Sequence, residues 1–207
     1  RADDALAKQI MAERASKAPV AVAVDGADLS KADEYSLVDM RSGKPAKHPT
    51  KFRVGWDNDA LVMEIVCYEP DMKNLLITDP VYDGDYVAVA LETTLHSFYL
   101  LHIGPDGLVL DGNPSTGEWA SLAQVETSKD DKSWTLKLRI PVVDAEEADA
   151  DPNHRVAGLK PTAENPWFFM VGRSRLRGSE RETTSFNKIE DKKGWRSLKS
   201  YGKLQVK

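Results

Sequence analysis

Cysteine is almost missing from this chain: Cys67 is the only one in 207 residues, which rules out an internal disulfide. It also rules out paired Cys/His ligands of a structural zinc site. Cys67 falls inside the apolar run Leu61–Cys67, so a buried structural thiol is expected there. No apolar stretch approaches the length of a membrane span. There is no phosphate-binding glycine loop, no zinc-protease helix and no nucleophile elbow, so the common signatures of catalysis are absent. Nor is there a basic excess: the net charge of −5 argues against a dedicated nucleic-acid binder. The chain opens at Arg1 with no initiator methionine and no apolar leader, so it is expected to be a processed product or a piece of a larger multidomain protein.

What is present is period-two hydrophobicity. Only Asp3–Lys17 reads as a helix, with Leu6, Ile10 and Met11 on one face and Pro19 just beyond its end. Residues 1–18 are therefore expected to form a helical extension and residues 19–207 a single domain. Val20–Val24 opens the strand set and Asp25-Gly26 stops it. Phe52, Val54 and Trp56 alternate with polar or small neighbours, and the apolar-on-both-faces run Leu61–Cys67 is expected to be a central strand. Further strands are expected at Tyr86–Glu92, Ser97–Ile103, Gly107–Leu110, Ala120–Thr127, Trp134–Ile140, Trp167–Arg175 and Tyr201–Val206. Pro141 is expected to end its strand, Asp144–Asp149 to form a helical turn, and Ala148–Pro166 to be a long surface loop. Many short strands split by Gly, Pro and Asp turns predict an all-β, antiparallel β-sandwich with a short N-terminal helical extension.

Two aromatic residues sit in polar, turn-rich stretches that lead into strands: Tyr82 in Pro80-Val-Tyr-Asp-Gly-Asp-Tyr-Val87, and Trp195 in Gly194-Trp-Arg-Ser-Leu-Lys-Ser-Tyr-Gly-Lys-Leu204. Such stretches place large rings at the rim of a sandwich. Two facing rings there would make a slot for a flat apolar ligand face, such as that of a sugar ring. Asp83 and Asp85 flank Gly84, where they serve either as hydroxyl acceptors or as plain turn residues. Glu64, Glu69, Asp83 and Asp85 are candidates for a hydrolytic carboxylate pair, but spacing in sequence says nothing of their separation in space. Asp57, Asn58 and Asp59 offer three oxygen ligands for calcium, without the spacing of an EF-hand loop; a hairpin turn explains them equally. The charge is uneven: Arg173–Lys207 holds eleven Lys/Arg against four Asp/Glu. That excess is either a solvated face balancing an acidic body or an affinity for anionic ligands. Arg173 and Arg175 are the candidates for contacting charged substituents.

The succession of motifs carries further. Val24-Asp-Gly26, Val54-Gly-Trp-Asp-Asn-Asp-Ala-Leu61 and Glu69-Pro-Asp71 come first, followed by Val81-Tyr-Asp-Gly-Asp-Tyr-Val87 and Tyr99-Leu-Leu-His-Ile-Gly-Pro-Asp-Gly107. Ser133–Pro141, Trp167-Phe-Phe-Met-Val-Gly-Arg-Ser-Arg175 and Trp195…Tyr201-Gly-Lys-Leu204 close the series. In this order, over residues 20–207, the chain resembles the family 9 carbohydrate-binding modules of the DOMON-like sandwich group. The resemblance implies an extracellular or periplasmic, non-catalytic β-sandwich appended to a larger protein. Its partner would be a polysaccharide or oligosaccharide held between two tryptophans, with no nucleic acid or membrane involved. Trp195 keeps one of these tryptophan positions and Tyr82 takes the other. Ala88 stands where the family has a glutamate and His102 where a basic residue is usual. Met170 and Gly172 replace an amide pair. A sugar hydroxyl left unpaired costs about 1–3 kcal/mol, so weak or altered sugar specificity, or none, is expected. Some relatives of this group hold a b-type haem, for which Met170 and His102 would be the axial candidates and Ala88, Ala90 and Gly172 would leave room.

Overall fold

The computed structural model describes residues 9, 12–14, 16–94, 97–112, 119–148, 150–151 and 153–207. Leu6, Ile10 and Met11, on which the expected N-terminal helix rests, lie outside them. Of that segment, residues 12–14 and 16–17 are helical. Among the described residues the rest of the fold is built from fourteen strands: β1 Val20–Asp25, β2 Tyr35–Ser36, β3 Val38–Asp39, β4 Thr50–Asp57, β5 Ala60–Tyr68, β6 Tyr86–Glu92, β7 Tyr99–Ile103, β8 Val109–Gly112, β9 Gln124–Lys129, β10 Ser133–Val143, β11 Val156–Ala157, β12 Trp167–Arg177, β13 Glu180–Ser185 and β14 Gly202–Val206.

They form one continuous sheet that curls into two layers; ten follow the order β11-β10-β5-β4-β1-β14-β12-β6-β7-β8, while β2 pairs with β4, β9 with β10, β13 with β12, and β3 with β13. The fold is an all-β sandwich, and β1 is its corner. Val20–Ala23 pairs in parallel with β14, while Val24 and Asp25 pair in parallel with β4 in the other layer. A strand that changes partner along its length joins two packed layers without a break in hydrogen bonding. β11 is also parallel to β10, so the expected antiparallel pattern is departed from at these strands. Between the layers Phe52 meets Phe169 edge-on at 6.0 Å, and Trp56 meets Trp167 at 5.5 Å. As expected, β5 is flanked on both sides, by β4 and β10.

Two elements differ from expectation for local reasons. Pro141 does not end β10, which runs on to Val143. Pairing with β9 stops at Arg139–Gln124, so no neighbour on that side needs the missing N–H. On the other side Val142 N–H donates to Asp59 O. β13, Glu-Arg-Glu-Thr-Thr-Ser, has no apolar alternation, yet it pairs with β12 over six positions and buries Thr184 and Ser185.

The layer β14-β12-β6-β7-β8 carries the candidate site. In its register Ala88 stands opposite both Gly172 and His102, and Tyr86 opposite Ser174. These residues share one face, as strand alternation predicts. Val87, Val89, Val171 and Arg173 share the other, which faces the core. The first face is itself covered. Arg14 lies 4.3 Å above the Phe168 ring and pairs with Glu92, while the segment 194–200 lies over the middle of the layer.

Candidate functional site

Trp195 belongs to a 3-10 turn, Gly194–Arg196, whose entry at Gly194 has φ 59°, a conformation open to glycine at little cost. The turn sets the indole directly on β12. A Cβ built on Gly172 would lie 2.2 Å from Trp195 Nε1, so only glycine permits this contact. The indole N–H donates to Thr184 O at 3.1 Å, and Tyr201 Oη donates to the Trp195 carbonyl at 2.7 Å. Tyr86 meets the indole edge-on at 5.5 Å, and His102 meets Tyr86 at 5.1 Å. The result is a fixed row of three rings along one end of the sheet face.

Beside this row an open cavity of about 330 Å³ is lined by Trp195, Tyr86, His102, Leu100, Lys193 and Arg196, with Met40 and Thr183 completing its wall. Burial, with the nearby Arg196 charge, depresses His102 to a pKa of about 4, so the imidazole is neutral at physiological pH. Strand alternation from Ala88 reaches Tyr86 on this face, but Lys193 and Arg196 are not among the candidates read from the sequence. The only signal for them was their position on either side of Gly194-Trp195.

Tyr82 stands on another 3-10 turn, Val81–Asp83, with 49% of its surface exposed. This turn packs against β7, whereas the Trp195 turn packs against β6, so the two rings rise from neighbouring strands. Among the described residues no ring contact joins them, and Tyr82 does not line the cavity. Asp83 is exposed in the same turn.

The other expected ligand residues are employed elsewhere. Asp85 is 1% exposed and accepts from the backbone N–H groups of Leu76 and Leu176 and from Arg177 Nη1 at 2.6 Å. Arg173 is also 1% exposed; its Nη2 lies 3.1 Å from Glu69 Oε2, and its Nη1 donates to Tyr68 O. Arg175 grips the same carboxylate at 2.7 and 3.0 Å, and Arg177 Nη2 approaches it at 2.6 Å. Burial pushes Glu69 upward, but the Arg175 hydrogen bond, the Asp71 N–H and the Arg177 charge outweigh it and hold the carboxyl below its ordinary pKa. This cluster ties the β5 exit loop to β12 and the loop before β6. It lies on the opposite side of β12 from Gly172, which corrects the assignment of Arg173, Arg175 and Asp85 to ligand contacts. It also absorbs two of the four carboxylates considered for hydrolysis. A third, Glu64, faces Arg53 in the other layer.

Asp57-Asn58-Asp59 makes a tight β4–β5 hairpin with Asn58 at φ 54°. Arg139 neutralises it, with Nη1 2.5 Å from Asp57 and Nη2 3.6 Å from Asp59. The Asp57 and Asp59 carboxylates expected to offer oxygens to calcium are thus both within reach of one guanidinium, and among the described residues no three His, Cys, Asp or Glu side chains are grouped to hold a metal ion. A b-type haem does not fit either. Met170 is fully buried, and the room expected over Gly172 is filled by the Trp195 indole.

No protein-family model matches the sequence, and no curated protein matches it. Solved structures do. A family 9 carbohydrate-binding module from Caldicellulosiruptor kristjanssonii, in complex with cellotriose, superimposes with a TM-score of 0.67 at 13% identity, covering 91% of this chain and 93% of the module. In its glucose complex the figures are 0.66 and 12%, covering 91% and 95%. A candidate carbohydrate-binding protein from Bacteroides uniformis gives 0.68 at 14% identity, covering 92% of this chain and all of the other. The fold of this chain is that of the family 9 carbohydrate-binding modules.

Proposed function

We propose that this chain is a non-catalytic saccharide-binding module whose ligand stacks in the cavity beside Trp195. The observation that carries the reading is the fixed ring row Trp195–Tyr86–His102 opening into that cavity on the sheet face. An indole held by hydrogen bonds at both its N–H and its backbone carbonyl loses little freedom when a ligand arrives, so most of the stacking energy goes to affinity. Tyr82, exposed on the β7 side, is the candidate for the opposite wall of a slot long enough for more than one sugar ring. Similar folds that hold cellotriose and glucose support the ligand class. Two of the four carboxylates weighed for hydrolysis, Glu69 and Asp85, lie locked under arginines, which supports a binding role over a catalytic one. Service outside the cytoplasm, as the targeting part of a larger polysaccharide-directed protein, completes the reading.

The test is a glycan array followed by calorimetry on the hits. Trp195→Ala is expected to weaken binding by roughly 2 kcal/mol or more, about thirtyfold, with the far-ultraviolet circular dichroism unchanged. Tyr82→Ala is expected to affect longer oligosaccharides more than monosaccharides. Full retention of binding by Trp195→Ala would remove the cavity from consideration.

A further inference from the structure

The cavity beside Trp195 has an unusual polar complement for a sugar site. Its charged side chains are Lys193 and Arg196, its remaining polar groups are Thr183, Tyr86 and a neutral His102, and it contains no carboxylate or side-chain amide. Lysine and arginine only donate hydrogen bonds. A neutral sugar presents many hydroxyl protons and needs acceptors to receive them, whereas this lining offers mainly donors. Its complement is a ligand rich in acceptor oxygens.

Among the described residues neither cation is hydrogen-bonded to a carboxylate, although the Lys193 charge still acts on Asp191 through space. Both are exposed, and among the described residues neither makes an ion pair. Their neighbours in the basic tail are spent internally: Arg173, Arg175 and Arg177 on Glu69 and Asp85, Lys188 on Glu190, and Lys199 on Asp191. The nearest carboxylate in sequence, Asp191, is outside the lining and already accepts from Lys193 N–H and Ser197 Oγ. Arg181, Lys192, Lys203 and Lys207 make no ion pair among the described residues either, but of these unpaired cations only Lys193 and Arg196 line the cavity beside the ring row. Arg196 offers a planar fork of donors that matches a carboxylate or a sulfate oxygen pair.

Resting on the saccharide reading above, we propose that the ligand of this groove is an anionic sugar, its ring against Trp195 and its acidic group between Lys193 and Arg196. The chemistry required is an oxyanion on a pyranose, which a uronic acid and a sulfate ester both supply.

The experiment uses calorimetry on the intact chain with three matched trisaccharides: one ending in glucuronic acid, one ending in a sulfated glucose and one neutral. At low salt a charged probe is expected to bind roughly tenfold tighter than the neutral one, and raising salt to about 0.5 M should erase most of that advantage. Lys193→Gln combined with Arg196→Gln should bring the charged probe down to the neutral level without moving the thermal melt, since both side chains are exposed. Preference for only one of the two charged probes supports the proposal and identifies the acid. Equal affinity for neutral and charged probes, both lost in Trp195→Ala, would overturn the anionic assignment and leave saccharide binding standing. Absence of binding by all three would overturn both.

Discussion

At the scale of single residues, one glycine controls the candidate site. Gly172 is the floor on which the Trp195 indole rests, and a methyl group there would collide with Nε1 and its neighbouring ring atoms. Gly172→Ala is expected to push the indole off the sheet, break its bond to Thr184 O and cost about 1–3 kcal/mol through overpacking. Near-ultraviolet circular dichroism and urea denaturation would measure both effects, and saccharide affinity should fall alongside them. Cys67 gives a second check. It is fully buried, and burial pushes its thiol up to about 11. A thiol reagent at neutral pH should find no reactive group in the native protein and one after denaturation. Gly172 was legible from the sequence as a small residue on the site face. That it makes way for Trp195 was not, because the contact joins residues on separate elements across a turn whose path local pattern does not specify.

At the scale of elements, the arginine cluster shows both what alternation reveals and how it was misapplied. The parity that put Tyr86, Ala88 and Gly172 on one face necessarily put Asp85, Val87 and Arg173 on the other. Charge suggested ligand contact, yet register carried these residues to the core side, where they need partners. Glu69 supplies one, from a loop that no sequence period connects to β12. Glu69→Gln would leave three arginine side chains without their shared anion and is expected to destabilise the fold by about 3–5 kcal/mol, measured by urea denaturation at pH 7. The pH dependence follows from the direction of the shift. Glu69 is held below its unfolded value of about 4.5, so its contribution is complete above that pH and is lost as pH falls through the lower folded value. The parent protein should therefore lose its advantage over Glu69→Gln on acidification, and a constant gap down to about pH 2 would contradict this account. β13 was missed for a related reason. Its polar residues satisfy one another and the backbone ladder, leaving no hydrophobic rhythm to read.

For the whole molecule, the sandwich itself was the most legible feature, because period-two runs and turn residues recur from Val20 onward. The parallel pairings of β1 were not, since strand direction depends on which distant segments meet. Because β1 hydrogen-bonds to β14 and β4 at once, the two layers share a strand and cannot separate without breaking that ladder. Unfolding followed by tryptophan fluorescence and by far-ultraviolet circular dichroism is expected to give coincident, single transitions. A stable half-folded plateau would contradict the corner role of β1.

The anchoring of Trp195 has a further consequence for how the molecule gains its proposed ability to recognise a ligand. Trp195 is pinned at its indole N–H by the Thr184 carbonyl and at its own backbone carbonyl by the hydroxyl of Tyr201, which leads straight into β14. Loosening of β14, the strand that joins β1 to β12, would therefore free the Tyr201 hydroxyl from the Trp195 carbonyl, so the steadiness of the ring depends on the seam between the two layers as well as on its own turn.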